Sequence, residues 1–192
     1  MAIIYVTGGA KSGKSKFAED LLLSLNDGKQ KNVYLATSVV FDEEMKKKVE
    51  LHKARRKDNW ITVESYKNFS QSLEEVMNEN KKNKKNNMLV DCLTNMISNI
   101  IFENEEIDWE KPEKNQLEKC DRNVEKEVQN LCKIFKNFEN VVIVSNEVGM
   151  GLVPAYPLGR YFREIAGKMN QFFAEKADEA YFVVSGISMK IK

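Results

Sequence analysis

The sequence has one histidine, few cysteines and few prolines, and it lacks both a charge excess and a long apolar run. The three cysteines, Cys92, Cys120 and Cys132, show no paired metal-ligand spacing, and one histidine cannot complete a set with them. That argues against a structural zinc site. An odd thiol count without an N-terminal secretion signal fits a reducing, cytoplasmic setting rather than a disulfide framework. Thirty basic residues against 29 acidic ones leave a formal net charge of +1. There is therefore no electrostatic case for nucleic acid or a membrane surface as the main partner. The apolar opening at residues 2–7 is too short for a signal peptide core or a membrane span, and it runs straight into glycines. No repeat appears, and no linker is long enough to divide the 192 residues.

What the chain does have is alternation. Short, β-rich apolar runs at 2–7, 32–37, 87–91 and 140–145 read as buried strands; 60–65 and 179–184 read as further strands, and "SMKI" as a last edge strand. Between them, helical patterns cover 14–25, 42–56, 68–79, 93–102, 116–137 and 158–176. Phe17, Leu21, Leu22 and Leu25 make the apolar face of the first helix. The Lys/Asn tract 78–87 reads as a solvated helix end and loop, and the acidic stretch 103–115 as an exposed connection. This order predicts a mainly parallel α/β fold over residues 1–192, with helices on both faces of the sheet; together with the glycine motif "TGGAKSGKS" (residues 7–15) after the first strand, it predicts a single P-loop NTPase-type domain.

The first motif is "TGGAKSGKS". Gly8, Gly13, Lys14 and Ser15 match G-x-x-x-x-G-K-[ST], after a strand and at the start of a helix. Glycines let backbone N–H groups converge on phosphate oxygens, and the helix N-terminus adds partial positive charge. Lys14 would reach across the phosphates and Ser15 would ligate Mg²⁺. Asp91 ends an apolar strand, as an acid that holds Mg²⁺ would. The same aspartate could instead cap the helix that follows. Neither an N-K-x-D motif nor a D-x-x-G after a strand is present, which counts against a GTPase switch.

The lone histidine sits in "EEMKKKVELHKARRKDNW". On a helix Lys48, His52 and Arg55 or Arg56 share one face. Cations around His52 favour neutral imidazole, a nucleophile, and would stabilise a phosphate that it attacks. The segment alone also fits a solvated basic face that happens to carry a histidine.

Taken in order, "TGGAKSGKS", "YLATS", "DEEMKKKVELHKARRKDNWITVE", "LVDCLTNMISN", "VSNEVGMGLVP" and "LGRYFREIAGKMNQFFAEKADEAYFVVSGISMKIK" resemble the bifunctional adenosylcobinamide kinase / adenosylcobinamide-phosphate guanylyltransferase family. The resemblance spans nearly the whole chain. It implies phosphorylation of the aminopropanol hydroxyl of adenosylcobinamide by ATP or GTP. Transfer of GMP from GTP to that phosphate follows, through a guanylylated histidine, with release of pyrophosphate. His52 matches the nucleophile; where relatives often carry two adjacent histidines, this chain has Leu51 before it.

The nucleotide contacts that the resemblance implies are Gly8, Gly9, Ala10, Lys11, Ser12, Gly13, Lys14 and Ser15, then Ala36, Thr37 and Ser38, then Lys53, Ala54, Arg55 and Arg56, with Glu64 and Asp91. Lys14 joins His52 as catalytic, and Ser15 and Asp91 are the Mg²⁺ ligands. Ala36–Ser38 lies at a strand's carboxyl end, where open α/β sheets bind ligands. Glu64 could bind guanine N–H groups or ribose hydroxyls, or be an exposed strand-end acid. The resemblance also implies a homotrimer. A simple P-loop kinase for another small molecule, with His52 a bystander, is the competing enzyme; a nucleotide-dependent switch is the competing non-enzyme.

Two features stay open at this level. "GMGLVPAYPLGR", with Gly149, Gly151 and its prolines, reads as a lid, a corrinoid contact or a plain connection. Arg160, Arg163, Gly167 and Asn170 share one face of the helix after it, while Phe162, Ile165, Met169 and Phe172 give that helix an apolar side for core or subunit interface.

Overall fold

A computed structural model describes residues 1–26, 28, 30–38, 59–103 and 107–192. The strands are β1 (Ala2–Gly8), β2 (Asn32–Ala36), β3 (Trp60–Glu64), β4 (Met88–Asp91), β5 (Asn140–Asn146), β6 (Glu179–Val184) and β7 (Ile187–Lys190). The helices are α1 (Lys14–Ser24), α2 (Phe69–Ser72), α3 (Glu74–Lys82), α4 (Leu93–Phe102), α5 (Lys114–Ile134) and α6 (Pro157–Lys176). One seven-stranded sheet runs in the order β3-β2-β4-β5-β1-β6-β7. All its pairings are parallel except β6 with β7, which is antiparallel. The helix expected at 42–56 lies outside the described residues.

The sheet sorts side chains by the two-residue period of a strand. Ile4, Val6, Tyr34, Leu89, Val142 and Val144 point to one face, where they pack with Ala18 and Leu22 of α1. Tyr5, Val33, Leu35, Met88, Val90, Val141 and Ile143 point to the other, against α2 to α6. Helices thus cover both faces, which is why the central strands are continuously apolar. Each fully buried Leu or Val contributes about 1.5–3 kcal/mol.

Several boundaries differ from the sequence reading. The helix expected at 68–79 is two, broken at Leu73, and the second runs on to Lys82. Leu25 is 44 % exposed and lies just past the end of α1, off its core face. In the tract 78–87 the lysines are exposed but Asn80, Asn86 and Asn87 are buried. Asn80 and Asn86 bond to each other and to backbone carbonyls, and Asn87 bonds to the side chains of Asn32 and Asn140, a use of asparagine that composition cannot reveal. The connection before α5 is likewise not wholly exposed: Ile107 is buried, and the Trp109 ring lies 5.5 Å from that of Tyr161. A reciprocal capping box between Glu113 and Gln116 then starts α5 two residues before the expected position.

Because β1 to β6 are parallel, their carboxyl ends share one edge of the sheet. Gly8 is level with Asn146, and Ala36 is level with both Glu64 and Asp91. The topology thus gathers at one edge residues far apart in sequence.

Candidate active site

The loop between β1 and α1 is shaped by backbone angles that few residues adopt. Gly13 has φ 93° and Lys11 has φ 59°, both in the left-handed region. Gly8 is held by space instead: a Cβ there would run into the Val183 carbonyl oxygen and lie 2.8 Å from Ser12 Oγ. Two neighbours brace the loop. Gly186 N–H donates to the Ser12 carbonyl at 2.8 Å, and Glu147 N–H donates to the Gly8 carbonyl at 2.9 Å. The β6–β7 turn and the chain leaving β5 therefore hold the two ends of the loop.

Helix α1 opens on this loop with Gly13 as its N-cap; among the described residues no side chain caps it, and its first turn carries no acid. The unpaired first-turn amides and the positive end of the helix dipole face the loop, an arrangement suited to phosphate. Ser12 adds a buried hydroxyl without a hydrogen-bond partner among the described residues. Lys14 is buried and donates from Nζ to the Gly9 carbonyl at 3.0 Å, spanning the loop. Burial lowers its pKa; the thiol of Cys92 and the carboxylate of Asp91 oppose that shift. Ser15 is half-buried in the first turn of α1, and Gly9 is half-buried while Ala10 and Lys11 are exposed.

Asp91 closes β4 in the same electrostatic neighbourhood. It is not the cap of α4, since Cys92 holds that position without a side-chain cap bond. Tyr34 OH donates to Asp91 Oδ2 at 2.6 Å; the Asp91 carboxylate and the Ser15 hydroxyl would offer hard oxygen donors. Mg²⁺ takes one or two such protein oxygens together with phosphate oxygens, so the residues present fit it. Cys92 is not a competing nucleophile. Burial pushes its thiol up to about 11, reinforced by Asp91, so it stays protonated near neutral pH.

The segment after β2 is tied down by Asp91 and Cys92, and by Asn95 and Asn99, which the sequence reading did not single out. Thr37 N–H donates to the Asp91 carbonyl at 3.1 Å, and its hydroxyl donates to the Cys92 carbonyl at 2.6 Å. Asn99 Nδ2 donates to the Thr37 carbonyl at 2.7 Å, and Asn95 Nδ2 to Ser38 Oγ at 2.6 Å. Asn146, at the end of β5 between Gly8 and Asp91's strand, donates from Nδ2 to Thr94 Oγ1 at 2.7 Å. Asn170 of α6 closes the arrangement: it accepts from Ser145 Oγ at 2.6 Å and donates to the Asn146 carbonyl at 3.1 Å. The available signal for Asn146 was its place at the end of "NVVIVSN", the signal that marked Asp91.

The structure brings Gly8–Ser15, Ala36–Ser38, Glu64 and Asp91 to one edge; Glu64 is exposed at the end of β3, the outermost strand there. His52, Lys53, Ala54, Arg55 and Arg56 lie outside the described residues.

A parallel sheet whose first strand leads through a braced glycine loop into an uncapped helix, with a buried lysine and a strand-end aspartate beside it, defines a P-loop nucleotide-binding α/β protein. The family described as cobinamide kinase / cobinamide phosphate guanyltransferase matches residues 4–191. The chain is 38 % identical over 192 residues to the bifunctional adenosylcobalamin biosynthesis protein CobU of Escherichia coli, covering 99 % of each. It is 37 % identical over 195 residues to the protein of the same name from Salmonella typhimurium, again covering 99 % of each. Against the bifunctional adenosylcobalamin biosynthesis protein CobP of Pseudomonas aeruginosa it is 30 % identical over 190 residues, 97 % of this chain and 95 % of that one. The chain belongs to the cobinamide kinase / cobinamide phosphate guanyltransferase family. Among the described residues no helix is long and apolar enough to cross a membrane.

Proposed function

We propose that residues 1–192 act as one domain that phosphorylates adenosylcobinamide with ATP or GTP and then guanylylates the product. The observation that carries this is the braced Gly8–Ser15 loop, with Lys14 buried across it, in a chain that matches the family from residue 4 to residue 191. Such a loop grips a triphosphate without choosing which phosphorus reacts.

In the kinase step the first-turn amides of α1 and the Lys14 ammonium hold the triphosphate; the aminopropanol hydroxyl gives up its proton and attacks the γ-phosphorus, the β–γ bridging bond breaks and the nucleoside diphosphate leaves. Asp91 is the candidate general base. In the second step neutral His52 attacks the α-phosphorus of GTP; an N–P bond forms, the α–β bridging bond breaks and pyrophosphate leaves. A phosphate oxygen of adenosylcobinamide phosphate then attacks the same phosphorus, and the imidazole departs. Lys53, Arg55 and Arg56 supply positive charge beside His52, and Ala36–Ser38 and Glu64 line the approach from β2 and β3. Ser15 and Asp91 would hold Mg²⁺, which supplies charge neutralisation on the phosphates when bound. The enzyme works as a homo-oligomer, a trimer by family resemblance, in the cytoplasm.

Incubation with α-labelled GTP tests the histidine step. The expected result is an acid-labile, base-stable covalent label that is absent in His52→Ala. A protein that turns over adenosylcobinamide phosphate without ever carrying label overturns the histidine route. One that phosphorylates a different small molecule and leaves adenosylcobinamide untouched overturns the substrate.

A further inference from the structure

The loop between β5 and α6 presents its apolar side chains to solvent. Met150 is 78 % exposed, Leu152 96 %, Val153 70 % and Tyr156 70 %. A loop that merely connected two elements would gain by carrying polar residues there, because exposed apolar surface costs about 25 cal/mol per Å².

Nor is this a slack segment. Val148, at its start, packs inward on the core. Arg163 donates to the Gly149 carbonyl at 2.5 Å, and Arg160 donates to the carbonyls of Pro154 at 3.2 Å and Ala155 at 2.5 Å. Pro154 fits against Gly159, where a Cβ would lie 2.7 Å from the proline's own Cβ. The arginine face of α6 thus braces the loop backbone while the apolar side chains stand outward. The patch is also joined to the phosphate site: Glu147, at its base, donates its N–H to the Gly8 carbonyl at 2.9 Å.

We propose that Met150, Leu152, Val153 and Tyr156 form the seat for the acceptor's corrin macrocycle. This rests on the function proposed above. A corrin ring is broad, methyl-studded and much larger than the nucleotide, and only its aminopropanol arm has to reach the phosphates. It therefore needs an apolar contact surface beside the phosphate loop rather than a closed pocket within it. The braced loop offers such a surface, fixed to the same β1 end that grips the triphosphate.

The test uses the full chain with GTP, Mg²⁺ and adenosylcobinamide phosphate, comparing wild type with Leu152→Ser and with the double variant Met150→Ser/Leu152→Ser. Both side chains are solvent-exposed, so folding is spared. The expected result is a KM for adenosylcobinamide phosphate raised about tenfold in the double variant, with the KM for GTP and the rate of covalent labelling within about twofold of wild type. Equilibrium dialysis, read by the corrin's own absorbance, should show the same loss of affinity. An unchanged acceptor KM overturns the proposal. So does a slowed labelling reaction, which would assign the patch to the donor half. A changed sedimentation coefficient with an unchanged acceptor KM overturns it as well, and marks the patch as a contact between copies. Wild type that neither binds nor converts the corrinoid overturns the proposed function itself, and this inference with it; wild-type turnover with unaffected variants overturns the inference alone.

Discussion

The two edges of the sheet use polar side chains in opposite ways. At the amino ends of the strands, asparagines bond to one another and to the backbone. Asn26 donates to Asn32 Oδ1 at 3.0 Å, and Asn140 donates to Asn87 Oδ1 at 3.0 Å. Asn86 donates to the Lys31 carbonyl, and Asn80 joins the Asn86 N–H at 3.2 Å to the Asn137 carbonyl at 3.0 Å. Asn32 Nδ2 is the buried exception among these asparagines, without a partner among the described residues. At the carboxyl ends the groups are held by the scaffold but aimed at something else: a buried ammonium, a strand-end carboxylate and, among the described residues, a Ser12 hydroxyl without a partner and helix amides without a side-chain cap. A closed network returns its desolvation cost as stability, whereas groups held ready for a ligand return it only when that ligand binds.

Lys14→Met should break that contrast most strongly. Losing the phosphate-facing cation should reduce both transfer activities by about 10²–10³-fold. The same change should raise the melting temperature of the nucleotide-free protein, because a buried cation is removed, by about 2–4 °C for each kcal/mol relieved. The pH dependence has a definite sign. The folded pKa of Lys14 lies below its unfolded value, so between the two the unfolded chain binds the extra proton. Wild-type stability therefore gains from this group as pH rises through that window toward its unfolded value, and the variant lacks the gain. Calorimetry with and without GTP measures both arms; a variant destabilised without ligand would refute the trade-off.

The smaller expected effect at the same edge is that of Tyr34→Phe. The tyrosine is buried, its ring 6.0 Å from that of Trp60, and its hydroxyl fixes Asp91. Removing the hydroxyl leaves the ring packing in place and lets the carboxylate turn. The Mg²⁺ concentration for half-maximal activity should rise about tenfold, with kcat at saturating Mg²⁺ little changed. A loss of kcat that saturating metal does not restore would show that Tyr34 acts on more than the orientation of Asp91.

Much of this edge was legible in the sequence because its signals are local. A glycine loop between a strand and a helix is a contiguous pattern, and Asp91 ends an apolar run where a metal-holding acid or a helix cap could stand, the cap position falling instead to Cys92. The sheet followed from alternation alone. What was illegible depends on partners distant in sequence. Nothing in "NENKKNKKNN" tells Asn80, Asn86 and Asn87, which are buried, from the exposed lysines among them; that distinction comes from Asn137, Lys31, Asn32 and Asn140. Asn95, Asn99 and Asn170 read as helix residues until the ends of β2 and β5 arrive beside them. The bracing of the phosphate loop by Gly186 spans almost the whole chain, so no window of sequence contains it.

Asn80→Ala tests the other side of the contrast and should have the smallest effect on catalysis. It removes a side chain 4 % exposed that satisfies the Asn86 N–H and the Asn137 carbonyl together. Leaving those backbone groups unpaired should cost about 1–3 kcal/mol, seen as a lower melting temperature. The KM values for GTP and adenosylcobinamide phosphate should stay within about twofold of wild type, because the change lies at the amino ends of the strands and the loop at their carboxyl ends keeps its own braces. If instead the GTP KM rises in proportion to the lost stability, the two edges are one cooperative unit, and the ligand-facing edge owes its shape to the asparagine network rather than to Gly186 and Glu147.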